Sequence, residues 1–142
     1  MADFIVRASA VRYSRKPKKP NVLTTGVSDA KVEFKVEEVL KGNHAENLLT
    51  LNGYLSDKDD FNDHPVPYNF VRPGGRHGSC FANTYKQGAQ FLLFLKKSST
   101  GLTVDFDALA PVNEQLHSFD DPWVFYVKGL IKGLEEASKL KK

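Results

Sequence analysis

His77 and Cys80, in the stretch GRHGSC (75–80), place an imidazole three residues before the chain's single thiol. Such a pair could open a metal site, supply a nucleophile and its base, or mark a structural position. A zinc site needs three or four ligands converging at about 2.0–2.3 Å. The other histidines, His44, His64 and His117, are scattered with no paired spacing. A reactive thiol needs a nearby cation to depress its pKa, and only sequence adjacency offers Arg76 or His77 for that part. A buried free cysteine behaves as a small hydrophobe, and that is the plainer reading of Cys80. The expectation is no catalytic residue, no metal and no cofactor.

The segment upstream is richer. Asp57, Asp59, Asp60 and Asp63 form an oxygen-rich cluster of the kind that holds calcium. The EF-hand order fails, because Phe61 and Asn62 stand where an oxygen ligand and the invariant glycine belong, so a solvated acidic loop is expected. Pro73-Gly74-Gly75 lacks the Lys-Ser/Thr and the helix start of a phosphate loop and reads as a turn. Tyr54, Phe61, Tyr68 and Phe70, with Arg72, have the side chains that carry most binding energy at protein interfaces. They are the candidate anchors for a protein partner, unless some of them cap the open end of a barrel. Single-stranded nucleic acid is the alternative: Tyr13 beside Arg15–Lys19, and Tyr68, Phe70 and Arg72, could stack bases and neutralise phosphate. The acidic cluster in the same segment works against it.

These residues need a frame. Residues 3 to 13 lack helical spacing and end in a Pro-Lys stretch, which predicts a first strand. In KVEFKVEEVLKG (31–42), Val32, Phe34 and Val36 alternate with charges, the period of a half-buried strand. The phase slips at Glu37-Glu38, which predicts a bulge or bend that returns Val39 to the inner face and lets the sheet coil. Lys41-Gly42-Asn43 is a turn, and NLLTLN (47–52) a third strand. Residues 53–79 show no sustained period, and so long a connection is more often functional than structural. QFLLFL (90–95) fits a strand buried on both sides, and 102–108 returns as a fifth. Asp120-Asp121 before Pro122 announce a helix start. Trp123, Val127, Leu130, Leu134 and Ala137 then make one apolar stripe expected to pack on the barrel, with a membrane-surface helix as the sharper alternative. Gly129 and Gly133 weaken that helix and allow a close neighbour.

A chain of 142 residues, 41% hydrophobic and 26% charged, is sized for one domain and composed like a globular protein. No apolar run approaches the roughly 20 residues that cross a bilayer. The net charge of +3 is too small to demand nucleic acid. The basic run from Arg12 to Lys19 and the terminal Lys139, Lys141 and Lys142 are expected to be a solvated loop and tail. Residues 1–11 carry no basic leader or apolar core of an export signal.

The segments ADFIVRASAV (2–11), KVEFKVEEVLKG (31–42), GSCFANTYKQGAQFLLFL (78–95) and GLTVDFDALAPVNEQL (101–116) together resemble the netrin-like module, the fold of the N-terminal domain of tissue inhibitors of metalloproteinases. DPWVFYVKGL (121–130) is similar to bacterial members of unassigned function. The resemblance implies a mainly β protein: a five-stranded OB-fold Greek-key barrel over 2–116 and a C-terminal helix over 120–141, in one domain spanning 1–142. It also implies a secreted or periplasmic protein whose signal has been removed. Metalloproteinase inhibitors begin with a cysteine that chelates the enzyme's zinc, and a Cys-x-Cys motif lies close by. This chain begins Met1-Ala2-Asp3 and has neither, so the inhibitory wedge is not carried over. In the family the cysteine at position 80 pairs with one on the last barrel strand; LTVDFDAL has none, which makes Cys80 a half-retained structural position. The expected function is non-enzymatic binding of a protein partner through the 54–79 loop. The alternatives are a single-stranded nucleic-acid binder and an inhibitor-like protein acting through another edge.

Overall fold

The structure is a computed structural model that describes residues 2–18, 29–43, 46–76, 82–99, 101–105 and 111–140. His44, His77 and Cys80 lie outside the described residues. The described strands are β1 (Phe4–Arg15), β2 (Lys31–Lys41), β3 (Leu48–Asn52), β4 (Tyr54–Ser56), β5 (Thr84–Lys86), β6 (Gln90–Ser98), β7 (Gly101–Val104) and β8 (Asn113–Gln115). A 3-10 turn covers Pro73–Gly75, and one helix, α1, runs from Pro122 to Leu140.

β1 is the axis of the fold. It pairs antiparallel with β2 on one edge and β6 on the other, within a sheet ordered β3-β2-β1-β6-β7 with β8 also on β6. The phase slip in KVEFKVEEVLKG is a real irregularity: Arg7 faces Glu38 while Ala8 faces Val36, which leaves Glu37 as the extra residue. Further register shifts occur between Ile5 and Val6, Ala10 and Arg12, and Tyr13 and Arg15. Each inserted residue raises the local twist, so the β1–β2 ribbon coils along its length. The bend does not return Val39 to the inner face; Val39 is exposed and Leu40 packs against the core instead.

Five strands closing into a barrel is corrected. Among the described residues the sheet has six strands and is not closed. The outer edge of β6 explains this, because it is shared between two short strands. Phe91–Leu93 pair with β8, whereas Leu95–Ser98 pair with β7. Neither piece is long enough to run the length of β3. Cα atoms of β3 and β7 approach within 8 Å, but no ladder joins them among the described residues. β4 and β5 form a separate parallel pair.

Phe34, Tyr85 and Phe91 meet edge to face, with ring centres 5.0, 5.1 and 6.3 Å apart, among Val6, Ala8, Val32, Leu51, Leu93 and Leu95. Gly42, at φ 92°, turns the chain after β2; a Cβ there would sit 2.5 Å from the Asp3 carbonyl oxygen, so only glycine fits the turn.

α1 starts where expected. Pro122 occupies the first turn and Asp121 caps it: its Oδ1 accepts the Trp123 amide at 2.8 Å, and its Oδ2 accepts the His117 amide at 2.8 Å and meets His117 Nδ1 at 3.0 Å. Asp121→Ala is expected to cost about 2 kcal/mol, the upper end for a helix cap, because the carboxylate is buried and also holds the preceding turn; thermal unfolding reads it. Packing of the helix is corrected. Trp123, Val124 and Val127 are buried, but Leu130, Leu134 and Ala137 on the predicted stripe are exposed.

Candidate functional site

After β4 the described residues 57–76 are irregular, yet they are held at Asp59, Asp60, Asn62, Asp63, Arg72, Gly74 and Arg76. The holding group is β8, whose three residues Asn113, Glu114 and Gln115 are all polar and all buried. Val112 and Leu116, both buried, bracket them and anchor the strand. β8 also hydrogen-bonds to β6 as a ladder strand, so its side chains are presented from a rigid element.

Each of the three reaches the loop. Gln115 accepts the Asp60 amide through Oε1 and donates from Nε2 to Asp59 Oδ1, both at 2.8 Å. Glu114 accepts from Asn62 Nδ2 and, at 3.2 Å, from the Arg72 amide. Asn113 donates to the Ala82 carbonyl and to the Tyr85 hydroxyl, and its own carbonyl accepts Arg72 Nε at 3.0 Å. Asn62 extends the pattern by donating to the Phe70 carbonyl at 2.6 Å and accepting the His64 amide at 2.9 Å.

Arg72 is the hub. The side chain is fully buried, and Nη1 donates to Asp60 Oδ2 at 2.8 Å and to the Thr84 carbonyl at 2.6 Å. Its guanidinium carbon lies 5.2 Å from the ring centres of both Tyr85 and Phe91. Nη2 has no hydrogen-bond acceptor among the described residues, and the π faces of Tyr85 and Phe91 lie against the guanidinium instead. The Asp60 carboxylate turns back to the Gly74 amide at 3.0 Å, and a Cβ on Gly74 would meet that carboxylate at 2.5 Å. Arg76 closes the loop by a two-pronged contact to Asp63, at 2.6 and 3.1 Å.

Electrostatics follow from these contacts. Lys86 and then Gln115 hold the Asp59 carboxyl below the usual carboxylate range, as Arg76 does for Asp63. Burial pushes Glu114 up to about 7, against the opposing pull of Asn62 and Arg72. Burial, followed by the charges of Asp121 and Glu114, pushes the Tyr68 phenol up to about 12. The acidic cluster is solvated at Asp57, Asp59 and Asp63, as expected, but it is also paired: Asp59, Asp60 and Asp63 each take a basic side chain. No group of three or more potential metal ligands occurs among the described residues.

The five anchor candidates separate by burial. Phe70 is 61% exposed and stacks on His64, with centres 5.3 Å apart. Phe61 is half-buried and stacks on His117 at 4.4 Å. Tyr54 is half-buried on β4. Tyr68, expected at the surface, is buried against Trp123 at 5.0 Å, and Arg72 is inside. The loop thus carries two ring stacks, Phe61 on His117, which follows β8, and His64 on Phe70, with Asn62 bonded to the backbones of His64 and Phe70. Reasoning from sequence missed His64, His117 and β8 as parts of this site. A polar triplet bracketed by apolar residues was the available signal for β8. Comparison with family models, with curated proteins and with solved structures finds no match to this chain.

Proposed function

We propose that the protein is a non-enzymatic binding module that recognises a protein partner through the outer side of the 57–76 loop. The observation that carries this reading is the pairing of an exposed Phe70 with a backbone locked from beneath by β8 and Arg72. A loop ordered before binding loses little entropy on contact, and an exposed aromatic on a rigid support is what interface hot spots require. Binding is favoured over turnover because Asp59, Asp60, Asp63, Arg72 and Arg76 are all engaged in ion pairs or backbone contacts. Glu114, the carboxyl with the most chemical promise, is 1% exposed and faces inward partners.

The netrin-like OB reading belongs to the same proposal. The order β3-β2-β1-β6-β7 and the approach of its two end strands support it, as does the coiled β1–β2 ribbon. Action outside the cytoplasm rests on the resemblance alone.

Phe70→Ala tests the site. Folding stability is expected to change by less than about 0.5 kcal/mol, as for an exposed side chain. Capture of a partner from an extracellular or envelope fraction should fall about tenfold or more and should survive moderate salt in the parent chain. Unchanged capture would remove Phe70 from the interface. Binding to oligonucleotides that weakens steeply with salt would replace the proposal with the nucleic-acid reading.

A further inference from the structure

Glu114 holds both ends of the stretch that carries Phe70. One of its oxygens accepts Asn62 Nδ2, and the other accepts the Arg72 amide at 3.2 Å. Asn62 passes the restraint inward along the loop, donating to the Phe70 carbonyl at 2.6 Å and accepting the His64 amide at 2.9 Å.

The surroundings of this carboxyl disfavour a charge. Glu114 is 1% exposed, and its ladder partner on β6 is the buried Leu92. Both of its donors are uncharged amides. The Arg72 guanidinium is turned instead to Asp60 Oδ2 and to the carbonyls of Thr84 and Asn113. A buried carboxyl that takes no direct ion pair sheds its charge by keeping a proton. Burial dominates, Arg72 opposes it, Asp60 adds to it, and the carboxyl is pushed up to about 7. The neighbours keep their state across neutrality: the Tyr68 phenol is pushed up to about 12, Asp63 holds Arg76 in its charged form, and Asn113 and Gln115 on β8 itself carry no charge.

We infer that Glu114 is a proton-operated latch of the 57–76 loop: neutral, it holds Asn62 and Arg72 and so fixes the Phe70 backbone, and ionised, it frees the loop while the sheet stays folded. Opening gives the carboxylate the water that it lacks in the closed loop. Contact through Phe70, a consequence that rests on the proposed function, is therefore strongest in mildly acidic surroundings and weakens as pH rises. The closed loop holds the group at about 7 and an open loop returns it to the ordinary 4.5, so opening releases a proton between these values. The open fraction rises about tenfold per pH unit across that interval and levels above it.

Amide hydrogen exchange of the full chain from pH 5 to 8, divided at each pH by the intrinsic exchange rate, reads this opening. Protection at His64 and Arg72 should fall about tenfold per unit up to pH 7 and then level, while the amides of β1 and β6 stay protected. Glu114→Gln should abolish the slope, whatever level of protection that variant shows. His64, whose Nε2 lies 3.7 Å from Asp63, and His117, on Asp121, are the competing titratable groups, and a slope that persists in Glu114→Gln would assign the effect to them and overturn the inference. Flat protection in the parent chain overturns it too, as does exchange of β1 and β6 that accelerates in step with the loop. Phe70→Ala should leave the slope in place, because Asn62 holds the Phe70 carbonyl and not its ring. Exchange needs no partner, so a failed latch and a failed interface are read separately.

Discussion

Arg72→Met is expected to lower folding stability by about 4 kcal/mol, the range for breaking a buried ion pair from one side. Methionine fills the space between Tyr85 and Phe91, so the loss would be electrostatic rather than a cavity. Three partners are stranded together: the Asp60 carboxylate and the carbonyls of Thr84 and Asn113. Asp60 is the costly one, because it also orients Gly74 and therefore the turn at 73–75. Chemical denaturation gives the magnitude, and amide exchange gives the location. Exchange should accelerate first at Asp60, His64 and Gly74, whose amides bond to side chains of this network. A loss under about 1 kcal/mol would show that β8 alone holds the loop and that the buried guanidinium is replaceable by any side chain of its volume.

The second large effect is a dependence of stability on pH that runs against the usual carboxylate direction. Glu114 has its folded pKa raised to about 7 from an ordinary 4.5, first by burial. Between those two values the folded chain holds a proton that the unfolded chain has released. Stability from this group is therefore full below pH 4.5 and is lost as pH rises through about 7. The loss is on the order of 3 kcal/mol at 1.36 kcal/mol per unit. Denaturation midpoints measured from pH 5 to 8 should fall, and Glu114→Gln should flatten the profile while leaving one donor, from Asn62 or the Arg72 amide, less well met. A midpoint that rises across this interval in the parent chain would mean that Glu114 is ionised throughout, stabilised by Arg72 more than burial penalises it. Below pH 4 the opposite trend should set in, since Glu38, Asp59 and Asp63 all have lowered pKa values and lose their partners on protonation.

How far the sequence foretold this arrangement depends on where its information lies. Alternation in Val32–Val36, the doubled Glu37-Glu38 and the Asp-Pro start of α1 are local signals, and each located its element. β8 escaped notice because Asn113-Glu114-Gln115 carries no apolar alternation: its side chains are buried to meet polar partners that lie far away in the chain. Glu114 to Arg72 spans 42 residues and Gln115 to Asp60 spans 55. The same distance concealed Arg72, which looks like a surface charge until Asp60, Thr84 and Asn113 are assembled around it. The aromatics were legible as a group but not individually, because Tyr68 and Phe70 are two residues apart and only the fold decides which one meets Trp123. The stripe on α1 was legible, and its cover was not, because periodicity reports that a face is apolar without reporting what lies against it.

The central position of β1 shapes how the chain can be made. Its partners on one side, Lys31 to Lys41, emerge soon after it, but those on the other, Gln90 to Leu95, come some eighty residues later. During synthesis at about 5–20 residues per second, the β1–β2 ribbon waits for seconds with an apolar flank and a row of unmet amides open to any neighbour. Crowded ribosomes translating this message should therefore produce tangled product, and slower initiation or a holding chaperone should improve the yield of native chain more than any change in the finished fold.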